Sequence, residues 1–148
     1  MSPNYNRECI ITTDACATGY GGVLSQLDDD GRERPIAYHS KRFNKAQENW
    51  STYEQECYAL VQCLKRFRPY IEGNHIKLFT DHKALIYLNK HSTLSAKQAR
   101  WVSYINLFDY EIKYKEGKSN KVADALSRNL VQRNNWKNNP NDYGWETN

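Results

Sequence analysis

From residue 8 to residue 39 three β-prone runs follow one another with only turns between them, and from residue 50 onward each further strand is reached through helical sequence. Strands joined by hairpins pair antiparallel, whereas strands separated by a helix can return parallel. That order predicts a mixed five-stranded α/β sheet, three antiparallel strands followed by helix-connected ones, with helices packed on it. The expected elements are strands at 8–14, 20–26 and 33–39, a helix over 50–68 stopped by Pro69, and a strand at 75–80. Helices at 82–89 and 95–108, a strand at 109–115 and a helix at 120–128 complete the series. Asp28-Asp29-Asp30-Gly31 reads as a hairpin turn, because Asp-Gly between strands is a strong turn signal. In the last strand Tyr110, Ile112 and Tyr114 alternate with Asp109, Glu111 and Lys113, which sorts them onto opposite faces.

Within this frame four acids occupy positions that solvation alone explains poorly. Asp14 ends the run Ile10-Ile11-Thr12-Thr13 and precedes a stretch of small residues and glycines, Ala15 to Gly22. Glu56 falls in the first turns of a helix in which Cys57, Leu60, Val61 and Leu64 recur at helical intervals, and Ser51 and Glu54 have capping-box spacing. Asp81 follows the alternating run Ile76 to Thr80 and marks the carboxyl end of its strand. Asp124 comes after Asn120, a good helix N-cap, and interrupts the apolar stretch Val122-Ala123 and Ala125-Leu126. Strand ends and helix starts are where the carboxyl edge of an α/β sheet gathers functional groups. Clustered carboxylates raise one another's pKa and are costly to bury, so a cation is the natural means of neutralising them. Oxygen ligands without a sulfur or imidazole set favour Mg²⁺ or Mn²⁺, and two such ions about 3.5–4 Å apart are suited to phosphodiester hydrolysis. The plain alternative is that each acid is a surface group or a cap, since the chain has 17 Asp and Glu in all.

Composition narrows the class. A length of 148 residues with 39% hydrophobic content suits one core, with a domain expected over 1–128. From Asn129 the sequence turns Asn-rich with few aliphatics, and 129–148 is expected to be a linker or disordered tail. No run approaches the roughly 18 apolar residues of a membrane span, and the first residues lack the pattern of a signal peptide. Cys9, Cys16, Cys57 and Cys63 show no C-x-x-C spacing, which argues for reduced packing cysteines and an intracellular setting. The net charge is +4. Basic residues group at Lys41-Arg42, Lys65-Arg66 with Arg68, Lys90 to Arg100, and Lys113 to Lys121, with Phe43, Trp50, Phe67, Tyr87, Trp101 and Tyr104 among or beside them. Such interleaving suits a groove that follows phosphates; a solvated face over core aromatics reads the same way, and Trp101, at the head of the series Val102, Ile105 and Phe108, fits the core better. Arg100 beside it is the better contact residue.

Taken together, Thr13-Asp14-Ala15 with Gly19 to Gln26, Pro35-Ile36-Ala37-Tyr38 with Ser40-Lys41, Asn49-Trp50-Ser51-Thr52 with Glu54 and Glu56, Thr80-Asp81-His82-Lys83 with Leu85 and Leu88, Arg100-Trp101, and Tyr114 with Gly117-Lys118, Asn120 and Val122 to Arg128 resemble the ribonuclease H domain of reverse transcriptases from gypsy-class LTR retrotransposons. The resemblance runs in unbroken order from about residue 8 to 128. It implies a ribonuclease-H-like fold, an RNA–DNA hybrid as substrate and two Mg²⁺ ions, for which Mn²⁺ can substitute, held by Asp14, Glu56, Asp81 and Asp124. Glu54 competes with Glu56, but positions two apart on a helix diverge by about 200°, and Ser51 gives Glu54 a capping task. Where related retroviral and cellular enzymes carry a histidine before the last aspartate, this chain has Tyr114, as its gypsy-class relatives do. His82 is either an orienting residue or an ordinary helix-start histidine. Lys83, Arg100 and Asn120 are placed beside the acids as substrate-binding or supporting residues. The same resemblance implies a polymerase domain in the same polyprotein, an integrase beyond the tail, and residence in cytoplasmic virus-like particles. Two other classes share parts of the pattern. A catalytically silent ribonuclease-H-like binding or connection domain would lose the acids, and a different metal-dependent nuclease or integrase-like transferase would space them differently along the chain.

Overall fold

The computed structural model describes residues 3–4, 6–90 and 93–116. Among them the five strands are β1 (Cys9–Ala15), β2 (Gly19–Leu27), β3 (Glu33–Arg42), β4 (His75–Thr80) and β5 (Asp109–Tyr114). They form one sheet in the order β3-β2-β1-β4-β5. β1 pairs antiparallel with β2 and β2 with β3, while β4 lies parallel to both β1 and β5. The hairpin-linked strands thus make the antiparallel half and the helix-connected strands the parallel half, a mixed sheet as the element order predicts.

The turn between β2 and β3 is the expected one. Asp28 accepts backbone N–H bonds from Asp30 and Arg32 at 2.9 Å each through Oδ1, and Gly31 takes the positive φ of 78° that closes the hairpin.

The long helix α2 (Thr52–Ile71) packs its buried stripe, including Cys57, Leu60, Cys63, Leu64 and Phe67, against Ile11, Leu24, Ile76 and Leu78 of the sheet. Its close approach is set at Gly22 of β2, where an added Cβ would lie 2.3 Å from Cys63 Sγ. Ser51 caps the helix by accepting the Glu54 N–H at 3.2 Å. The reciprocal half of a capping box is replaced, because the Glu54 side chain reaches α3 (Ala96–Ile105) instead.

Several boundaries differ from expectation. Pro69 does not stop α2, which runs on to Ile71. Proline costs the helix one hydrogen bond here, and two more residues place Ile71 fully inside the core. The segment Lys83–Lys90, expected as an α-helix over 82–89, is 3-10 and kinked at Tyr87. Leu85 and Leu88 are its buried residues, and a spacing of three puts both on one side of a 3-10 helix. A short helix α1 (Lys45–Glu48) sits in the β3–α2 connection, where sequence reading placed nothing, and opens with an Asn44–Gln47 capping box. α3 ends at Ile105, short of the expected 108, and Asn106 caps it. The helix expected at 120–128 and the tail at 129–148 lie outside the described residues.

Cys9, Cys57 and Cys63 are buried, with free thiols, and Cys16 is half-buried. Among the described residues no helix is long and apolar enough to cross a membrane.

Candidate active site

β1 and β4 run side by side in parallel, with Thr12 opposite Phe79. Two residues further along each strand stand Asp14 and Asp81, so equal offsets from one register bring both carboxylates to the same edge of the sheet. α2 starts above this edge and carries Glu56 down from its second turn. One carboxylate oxygen from each of Asp14, Glu56 and Asp81 lies within 4.8 Å of the other two. Asp14 and Glu56 are only 5% and 3% exposed, whereas Asp81 is half-buried at the opening.

The Ala15 N–H joins the two buried acids, donating to Asp14 Oδ1 at 3.0 Å and to Glu56 Oε1 at 3.3 Å. Glu56 Oε2 is buried with no hydrogen-bond partner among the described residues. Burial above all, then the negative charges of Asp14 and Asp81, push the Glu56 carboxyl up to about 9, with the Ala15 N–H pulling the other way. A buried acid oxygen facing two other carboxylates, with no donor of its own, suits a cation and no polar side chain of the protein. The donors are oxygens throughout, the set that hard divalent ions such as Mg²⁺ and Mn²⁺ prefer.

Glu54 is turned away. Its Oε2 accepts from Gln98 Nε2 at 3.2 Å and pairs with Lys97 Nζ at 3.3 Å, which commits it to holding α3 against α2. Lys97 in turn sits over the Trp50 ring, 4.0 Å from its centroid, and Trp50 packs edge-on against Trp101. Trp101 is half-buried and packs against the core, as its place in the helical series suggests. Phe43 and Phe67 are core residues too, so neither is available to a phosphate groove. Tyr87 is exposed, with Lys90 near its ring.

His82 is half-buried; its backbone N–H donates to Thr80 Oγ1 at 3.1 Å and its ring lies 6.0 Å from that of Tyr53. Tyr114 pairs with Thr80 across β4 and β5, so it stands one residue from Asp81 in the sheet. Lys83 is exposed and holds its ammonium 5.0 Å from the Tyr114 ring centre. Arg100 is exposed on α3. Asp124 and Asn120 lie outside the described residues. Tyr53 was not singled out from sequence, although its spacing of three from Glu56 puts it on the same face of α2, where it meets His82.

A mixed sheet whose two parallel central strands and overlying helix converge three acids at one edge defines a ribonuclease-H-like domain. The chain belongs to the family described as the RNase H-like domain found in reverse transcriptase, whose model matches residues 4–108; that match includes Asp14, Glu56 and Asp81 and ends before Asp124. Over 127 residues it is 45% identical to the retrovirus-related Pol polyprotein from transposon opus of Drosophila melanogaster, covering 85% of this chain and 13% of that protein. Over 129 residues it is 36% identical to the transposon Tf2-3 polyprotein of Schizosaccharomyces pombe, covering 84% of this chain and 10% of that one. The chain therefore spans about a tenth of the curated relatives it matches. Its fold is similar to that of LC11-RNase H1, solved in complex with RNA/DNA hybrid, with a TM-score of 0.67 at 14% identity over 85% of this chain and 98% of that one. RNase H1 from the halophilic archaeon Halobacterium salinarum gives a TM-score of 0.64 at 16% identity over 84% and 98% of the two chains.

Proposed function

We propose that this chain is an endoribonuclease that hydrolyses the RNA strand of an RNA–DNA hybrid during reverse transcription, with Asp14, Glu56, Asp81 and Asp124 holding two Mg²⁺ ions. The observation that carries this reading is the trio of carboxylates within 4.8 Å, two of them buried and one with an unsatisfied oxygen. Divalent cations bound there would supply an activated water and stabilise the oxygen that leaves phosphorus. The protein's part is to fix the ligands. The Ala15 N–H locks the orientation of Asp14 and Glu56, the parallel register holds Asp14 level with Asp81, and Asp81 at the rim faces solvent and substrate. In this reading Glu56 also accepts a hydrogen bond from the RNA 2′-hydroxyl, the group that distinguishes RNA from DNA. His82, Lys83 and Tyr114, close in chain or sheet to Asp81, and Arg100, exposed on α3, are assigned as contacts for the hybrid, with Asn120 ahead of Asp124 in the chain. The relatives are polyproteins of which this chain covers about a tenth, and its family is found in reverse transcriptase, which supports a polymerase domain in the same polypeptide as partner; the setting that goes with this reading is the virus-like particle.

The test is a Mg²⁺-dependent cleavage assay on RNA–DNA hybrid, RNA duplex and DNA duplex in parallel. Cleavage of the hybrid alone, leaving 3′-hydroxyl and 5′-phosphate ends, is the expected result. Asp81→Asn should lower the rate by ~10²–10³-fold or more, the scale of removing a principal charge-stabilising group, while circular dichroism stays unchanged. Wild-type cleavage by Asp81→Asn would overturn the assignment.

A further inference from the structure

At the opposite edge of the sheet the strands β1, β4 and β5 begin, and their first residues bring together a second set of ligand-type side chains. One donor atom each from Glu8, His75 and Glu111 lies within 4.8 Å of the others. Unlike the acid trio at the carboxyl edge, this set centres on an imidazole. His75 Nε2 faces Glu8 Oε2 at 3.3 Å and Glu111 Oε1 at 3.9 Å.

Each of the three groups is held from behind by another side chain. His75 Nδ1 is hydrogen-bonded to Asp109 Oδ1 at 3.0 Å. The second oxygen of Glu8, Oε1, pairs with Lys77 Nζ at 3.5 Å, and the second oxygen of Glu111, Oε2, with Lys113 Nζ at 3.9 Å. One atom of every group is anchored outward and the other points to a common centre, the arrangement in which outer partners orient metal ligands. Two donors bound at ~2.0–2.2 Å in tetrahedral geometry stand roughly 3.4 Å apart, close to the separations observed.

We propose that Glu8, His75 and Glu111 form a zinc site, with His75 Nε2 as the nitrogen ligand, Asp109 as its orienting partner, and water in the fourth position. One imidazole with two carboxylates is a set that suits Zn²⁺ better than Mg²⁺. The side chains are about two-fifths exposed, at 37%, 41% and 41%, so the ion reaches the site from solvent without any opening of the fold. The site ties together the starts of three neighbouring strands, adding to their ladders and to the ion pairs around them. It is independent of the proposed cleavage site, because β1 and β4 separate the two along their full length.

The probe is zinc chloride, titrated calorimetrically into the 148-residue chain carrying Asp14→Asn and Asp81→Asn, so that the acid trio no longer competes. One equivalent of zinc is expected, unaffected by excess Mg²⁺, together with a zinc-dependent rise in Tm. Adding His75→Gln or, separately, Glu111→Gln should weaken zinc uptake at least 10-fold and abolish the rise, while circular dichroism in EDTA remains that of the parent. Asp109→Asn should weaken it about 10-fold, the effect typical of an outer-shell partner. Zinc bound equally well after either His75→Gln or Glu111→Gln, or no zinc bound by the parent, overturns the proposal. Uptake lost on changing the two aspartates alone would assign the ion to the acid trio and overturn it equally.

Discussion

Glu56 is the residue whose chemistry is most altered by the fold. Its carboxyl ionises near 4.5 in the unfolded chain and near 9 in the folded, metal-free domain, because burial and then Asp14 and Asp81 oppose its charge. Between those values the folded state holds a proton that the unfolded state has released. The resulting stability is complete below about 4.5 and is lost as pH rises toward 9. In EDTA, Tm should therefore fall across this window, and Glu56→Gln, which is neutral at every pH, should flatten the fall; calorimetry of the two proteins at several pH values checks it. An equally steep fall in the Gln variant would show that Glu56 is not the titrating group. His39 works in the opposite sense. It is buried in β3 with Nε2 2.8 Å from the Tyr20 hydroxyl, and burial, followed by the positive charges of Arg66 and Lys41, drives its pKa down from 6.5 to about 4. Here the unfolded state binds the extra proton, so stability is present above 6.5 and lost as pH falls through 4. His39→Gln should reduce the acid-side slope of Tm between these values, whatever it does to Tm at neutral pH.

At the scale of elements, the features legible in sequence were those fixed by local rules. The Asp28–Gly31 hairpin, the five strands and the core stripe of α2 follow from turn chemistry and from periods of two and three to four residues. Asp14 and Asp81 could be placed at strand ends for the same reason. Helix geometry allowed only one of Glu54 and Glu56 to face the site, and a capping task for Glu54 with the family resemblance favoured Glu56; the structure instead turns the Glu54 side chain to a partner on α3 that no local signal announces. What could not be read is what tertiary packing decides. Pro69 stays inside α2 because Ile71 has a place in the core, and Lys83–Lys90 winds as 3-10 because Leu85 and Leu88 must both face inward. The Glu8–His75–Glu111 set was equally hidden, since it depends on two registers, one joining residues 67 positions apart (Cys9 with Ile76) and one joining residues 34 apart (Lys77 with Glu111). Gly22 tests how tightly α2 is seated. An alanine Cβ would stand 2.3 Å from Cys63 Sγ and 3.5 Å from Thr13 Cγ2, so Gly22→Ala should destabilise by about 1–3 kcal/mol, as overpacking does. Cys63→Ala removes the obstructing sulfur. The double variant should thus be more stable than the sum of the single effects predicts, by at least ~0.5 kcal/mol in a denaturant-based cycle, and strict additivity would place the strain elsewhere.

For the whole molecule, the sheet order accounts for why residues far apart in sequence meet at one edge. β1 is central, flanked by β2 on its antiparallel side and β4 on its parallel side, and the helix between β3 and β4 must cross over β2 and β1, which lie between them. Asp14 and Glu56 are buried on β1 and α2, and Asp81 directly follows β4, so all three are carried by elements that pack in the core. Asp124 stands in a segment outside the described residues, and the family match also stops short of it, so its membership in the site rests on the motif Val122 to Arg128 and is decided by experiment. If it completes the cation site, Asp124→Asn should lower hybrid cleavage by about 10²-fold or more and reduce the Mg²⁺-induced rise in Tm, as removal of a ligand weakens linkage between metal binding and folding. Tm in EDTA should change little, because a carboxylate whose partner is the ion has little to stabilise without it. Asp81→Asn serves as the reference in the same assay. Cleavage by Asp124→Asn at the wild-type rate, beside an inactive Asp81→Asn, would confine the cation site to the three acids that β1, α2 and β4 bring together.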